Sequence, residues 1–152
     1  MRRKDKEITD ATAIRSIIEK ARVCRIGMVD GNRPYVVPVS FGYHDNILYF
    51  HGALKGRKVE LLRKNPNICF EFDLLAEPIE SETACDWSMR YQSVIGFGQA
   101  VFIEDPDEKR KALGAIMAQY TDREFQFPEK MLKATCVIKI EVEQMTGKQS
   151  GF

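Results

Sequence analysis

The chain has 152 residues, of which 44% are hydrophobic and 30% charged, with a net charge of +1. A chain of this length buries about two-thirds of its unfolded surface, so one domain over residues 1–152 is expected and disorder is excluded by composition. Near-zero net charge removes any general electrostatic reason to bind nucleic acid or membrane, so an anion site has to be local.

The opening residues, Met1 to Glu7, are charged and lead into an amphipathic segment, not into the apolar stretch of a signal peptide. No run of about 18 apolar residues follows, and the expected location is cytoplasmic. Cys24, Cys69, Cys85 and Cys136 are widely spaced without a C-x-x-C pair, which predicts buried, reduced thiols.

Ile14, Ile17, Ile18 and Ala21 recur at helical spacing behind Asp10 and Thr12, predicting a capped amphipathic helix over 10–22. Segments 24–29 and 34–43 are rich in β-branched and aromatic residues around the turn Asp30-Gly31-Asn32 and predict a hairpin. His44-Asp45-Asn46 marks a second turn before a strand at 47–50. Residues 57–65 predict a short helix that Asn65-Pro66 stops. A strand follows at 68–75, then a polar loop at 76–83. The next strand, 91–103, contains Gly96 and Gly98, a pattern suited to a bulge or barrel corner. Asp105-Pro106 opens a helix to about Gln119, and 137–142 gives the last clear strand. Roughly six strands joined as hairpins predict a mainly β fold, a barrel with short helices.

The chemistry concentrates in Tyr49 to Lys58. Here a strand ends in a glycine-punctuated loop that holds Lys55, Arg57 and Lys58 and runs into a helix start, an arrangement suited to a phosphate and equally to a solvated basic turn. His51 beside it is a candidate proton donor, hydrogen-bond partner or structural histidine. Pro38 interrupts a strong strand and confines that position to an edge or a bulge, either as an ordinary edge strand protected from aggregation or with free backbone that could face a planar ligand. Trp87, Tyr91 and Ser93 gather polar and aromatic groups after the loop, as a pocket, core or interface would. Two distant histidines and dispersed cysteines form no metal-ligand pattern.

Taken together, Met1-Arg2-Arg3, Pro34-Tyr35-Val36-Val37-Pro38-Val39, Tyr49 to Gly52 with Gly56-Arg57-Lys58, Asn65-Pro66, Tyr91 to Gly98 and Thr146-Gly147-Lys148 resemble the FMN-binding split barrels of the pyridoxamine 5'-phosphate-oxidase-like family, most closely the nitroimidazole-resistance branch. The resemblance implies a six-stranded antiparallel, Greek-key-like barrel and a homodimer with FMN at its interface. It implies that Val37, Pro38, Val39 and Ser40 present backbone to the flavin ring. His51, Gly52, Lys55, Gly56, Arg57 and Lys58 would hold phosphate and ribityl, with Trp87, Tyr91 and Ser93 approaching from the partner chain.

The implied activity is transfer of electrons from NAD(P)H through FMN to a small acceptor, nitro-aromatics included, with His51 or Tyr91 as proton source. Residues 147–152 contain neither arginine nor histidine and so depart from the substrate motif of pyridoxamine-phosphate oxidases, which argues against vitamin B6 as substrate. Two other readings stay open: a flavin- or haem-binding module without turnover, and an interaction barrel whose Trp87 and Tyr91 dock a protein.

Overall fold

A computed structural model describes residues 3–152; of the family-like opening, Met1 and Arg2 lie outside the described residues. Eight antiparallel strands run in chain order: β1 (Glu7–Ile8), β2 (Cys24–Asp30), β3 (Arg33–Val39), β4 (Phe41–His44), β5 (Ile47–Ala53), β6 (Asn67–Ile79), β7 (Ser88–Ile103) and β8 (Thr135–Ser150). Four α-helices accompany them: α1 (Ala11–Lys20), α2 (Arg57–Lys64), α3 (Pro106–Ala118) and α4 (Glu129–Ala134). The fold is the expected mainly β one with short helices. Two strands exceed the expected six, because Ser40 separates β3 from β4 and because the two residues of β1 pair with Gly147 and Lys148 of β8.

The sheet runs β3-β2-β6-β7-β8-β5-β4, so its two ends are strands that adjoin in sequence across Ser40. A sheet whose ends are one residue apart must curl on itself, yet no ladder joins β3 to β4 and the barrel stays split. The curl is visible inside: Phe41 of β4 meets Phe72 of β6 with ring centroids 4.8 Å apart, and Phe72 meets Phe70 at 5.8 Å. These rings, with Leu48, Phe50, Ile26, Val94 and Ile140, form the barrel core. A second cluster, Ile103, Ala112, Leu113, Ile116, Leu132 and Val137, lies beneath α3 and α4.

Local chemistry accounts for most boundaries. Asp10 caps α1 by accepting from the backbone N–H of Thr12 and Ala13, and Asp105 caps α3 through Asp107 and Glu108, with Pro106 in the first turn. Asp45 and Asn46, with φ of 48° and 62°, form a two-residue turn between the paired His44 and Ile47, the shortest connection an antiparallel pair allows. The bulge expected from Gly96 and Gly98 falls between Phe97 and Gly98, where β7 slips against β8. A Cβ on Gly98 would stand 2.3 Å from the carbonyl oxygen of Glu141.

Three strands outrun their sequence signals. β5 continues through His51-Gly52-Ala53 because these residues pair with Val137, Cys136 and Thr135. β6 continues to Ile79 through a register shift at Leu75, φ 59°, so much of the expected 76–83 loop is a hairpin arm. β8 continues to Ser150 through polar residues whose backbone pairs with β7. The four cysteines are free thiols; Cys24 and Cys136 are buried and Cys69 partly so, but Cys85, in the connection ahead of β7, is exposed against the expected burial. Among the described residues no helix is long and apolar enough to cross a membrane.

Candidate functional site

The split in the sheet and the start of α2 adjoin. β4 pairs with β5 only as far as Phe41 with Phe50, so His51, Gly52 and Ala53 are paired to β8 on one side and open on the other. β3 is the far end of the sheet and has its own open edge, which places Pro38 on an edge strand as its missing N–H requires. Val37, Pro38 and Val39 pair with Ile26, Arg25 and Cys24 along the inner edge only, and Ser40 is the exposed link to β4.

Between these edges, α2 begins at Gly56, whose φ of 133° is a region other residues adopt only under strain. Unlike α1 and α3, this helix start has no side-chain cap, so its first N–H groups remain donors without a protein partner. Around it stand three cations. Lys55 is exposed. Arg57 crosses to the β2–β3 hairpin, where its Nη2 donates to Asp30 Oδ2 and its guanidinium lies 4.8 Å from the centre of the Tyr35 ring.

Lys58 is half-buried, its Nζ 5.2 Å from the centre of the Phe50 ring. It makes no ion pair among the described residues. A Cβ on Gly52 would stand 3.3 Å from that Nζ, so the missing side chain gives Lys58 its place. Burial holds the Lys58 amine below the usual lysine range, with the Cys136 thiol a lesser opposing influence. His51 is lowered too, first by desolvation and then by the charge of Lys58, which favours neutral imidazole.

His51, Gly52, Lys55, Gly56, Arg57 and Lys58 therefore converge on one helix start beside the open strand edges. Trp87, Tyr91 and Ser93 do not join them within one chain. Trp87 sits in the connection between β6 and β7, exposed, its Nε1 donating to the Ser81 carbonyl at 2.7 Å. Tyr91 and Ser93 lie on β7, separated from β5 by β8, and the Tyr91 ring carries Lys148 Nζ 5.6 Å from its centre. Sequence reasoning missed Asp30, Tyr35 and Phe50, which hold the cations; nothing in the linear order links a turn at residue 30 to a helix start at residue 57.

A curled, open antiparallel sheet with a basic helix start at its split is the architecture of the split-barrel class. The sequence profile of the pyridoxamine 5'-phosphate oxidase family matches residues 10–149, and the chain belongs to that family. It is similar, at 40% identity, to a candidate 5-nitroimidazole antibiotic resistance protein from Bacteroides thetaiotaomicron; the match covers 93% of this chain and 85% of that one, with a TM-score of 0.85. At 21% identity it shares the fold of the flavocytochrome Anf3 from Azotobacter vinelandii, covering 100% of this chain and 72% of that one at a TM-score of 0.87. It also shares the fold of an FAD- and haem-binding protein from Mycobacterium smegmatis, at 21% identity, covering 97% and 74% of the two chains at a TM-score of 0.88. No curated protein matches the sequence.

Proposed function

We propose that the protein is an FMN-dependent oxidoreductase that works as a homodimer, accepts electrons from NADH or NADPH and passes them to a small acceptor, nitro-aromatic compounds among them. The carrying observation is Lys58: a half-buried cation without an ion-pair partner, aimed beside an uncapped helix start. A phosphomonoester carries close to two negative charges and several strong acceptor oxygens, which fits three cations and free backbone donors better than any neutral ligand does. Likeness to the nitroimidazole-resistance relative supports the acceptor class, and likeness to flavin-binding proteins of the same fold supports the cofactor class.

Bound here, the flavin would supply the hydride and electron chemistry. The chain's own part is placement. Lys55, Arg57, Lys58 and the first N–H groups of α2 would bind the phosphate, while the open backbone of Val37 to Ser40 would lie along the ring. His51, its pKa lowered by desolvation and by Lys58, is one candidate hydrogen-bond partner or proton source, and the Tyr91 hydroxyl of the second subunit is the other.

The outer face of the sheet supports the homodimer. Val29, Val36 and Phe97, Val36 exposed by 59%, line an open, mostly apolar groove of about 570 Å³, and Ile95 and Val101 are exposed further along β7. Contiguous apolar surface of this kind marks an interaction site. A second subunit covering this face would also bring an arm carrying Trp87, Tyr91 and Ser93. The haem-containing relatives of the same fold favour a second reading, a flavin- or haem-binding module without turnover.

One experiment separates the two. The protein is loaded with FMN, and NADH or NADPH is added without oxygen. Bleaching of the flavin band establishes the reductase; a bound flavin that never bleaches leaves the binding module. Failure to take up FMN refutes the proposal.

A further inference from the structure

Arg57 is the one cradle cation already held from across the split, and the two groups that hold it come from a single hairpin. Asp30 is the last residue of β2 and starts the turn whose Gly31 has φ 60°. Tyr35 lies on β3, opposite Met28 in the ladder, so the hairpin register fixes its place relative to Asp30. The carboxylate takes Arg57 Nη2 while the ring lies against the guanidinium face, 4.8 Å from Cζ. Between them they fix both the direction and the plane of a long, mobile side chain. A guanidinium has five N–H donors in a rigid fork, so one bond to Asp30 leaves others to be aimed.

The pair does little else. Arg57 is exposed and the side chain of Asp30 is about one-third exposed, at 35%, a setting in which ion pairs add little to folding stability. No second cation is paired with Asp30 among the described residues. An arginine at a helix start beside free N–H groups, clamped by a second element, is arranged for its remaining donors.

We propose that Asp30, backed by Tyr35, is the positioning residue for Arg57, and that the β2–β3 turn thereby sets how strongly the protein prefers a phosphorylated flavin over the same flavin without its phosphate. The inference rests on the flavin reading above and adds a residue of the hairpin to the cradle. Asp30 acts through Arg57, without touching the flavin.

The opposite reading of the same contact is competition: a carboxylate that occupies Arg57 and weakens it as a phosphate ligand. The two differ in sign. Flavin-free protein is titrated with FMN and with riboflavin, following flavin fluorescence, for the natural chain, Asp30→Asn, Arg57→Met and the double variant. Thermal unfolding of each flavin-free protein is measured alongside.

Positioning predicts that Asp30→Asn weakens FMN by about tenfold, leaves riboflavin and the thermal midpoint unchanged, and adds nothing further once Arg57→Met is present. Unchanged FMN binding, equal weakening of both flavins, or tighter FMN binding in Asp30→Asn would each overturn it. The flavin reading fails separately: a natural chain that binds neither flavin removes both claims, whereas one that prefers FMN while Asp30→Asn prefers it equally removes only this one.

Discussion

Lys109 and Lys58 are both drawn in from solvent, and they are treated in opposite ways. Lys109 on α3 is 8% exposed, and its Nζ donates to the carbonyls of Leu132 and Thr135, each at 3.0 Å. Lys58 on α2 is half-buried against the Phe50 ring and the bare backbone of Gly52, with no carboxylate paired to it among the described residues. Burying a charge is tolerable when hydrogen bonds replace water. Lys109 meets that condition inside the chain and ties α3 to the end of α4. Lys58 does not, and its amine is pushed down accordingly. The difference separates a cation that builds the fold from one left available to a ligand.

The largest effect is expected at the satisfied lysine. Lys109→Ala removes both of these hydrogen bonds and opens a void between α3 and α4, and should lower stability by about 3 kcal/mol in urea unfolding. Lys58→Met should do the reverse: flavin-free stability holds, because the apolar stem still covers Phe50, while FMN affinity falls by about 2 kcal/mol, roughly thirtyfold. If Lys58→Met unfolds the protein as Lys109→Ala does, the contrast collapses.

Charge state sharpens it further. A lysine held below its usual range loses its proton earlier as pH rises, so FMN binding that depends on Lys58 would be complete at neutral pH. It should decline on the alkaline side before an ordinary lysine would titrate. Affinity measured from neutral pH upward shows this limb in the natural chain; in Lys58→Arg it should disappear, because arginine stays charged. The smallest effect belongs to Gly52→Ala, whose methyl would crowd the Lys58 amine from 3.3 Å. It should weaken FMN by about 0.5–1 kcal/mol with the strand pairing intact.

What the sequence disclosed follows the range of the forces involved. Caps, turns and the alternation of β2, β5 and β7 are local, and they placed α1, α3, the 30–33 turn and the Gly98 bulge well. The convergence of His51 to Lys58 on one helix start was legible for the same reason: strand, glycine loop and helix start are contiguous. The second half of β8 was not, because Glu143, Gln144, Lys148 and Gln149 have no strand pattern and are ordered by β7 alongside them. α4 was missed as well; six residues give too little periodicity to register. Nor could spacing reveal the Asp30 and Tyr35 contacts to Arg57, which depend on a sheet that brings its two ends back together across Ser40.

The most direct test is a crystal structure with FMN bound. The account predicts the phosphate at the start of α2, accepting from the N–H groups of Arg57 and Lys58, with Lys58 Nζ at hydrogen-bond distance, about 3 Å. A flavin seated elsewhere, or a phosphate at this cradle with Lys58 still unengaged against Phe50, would contradict it.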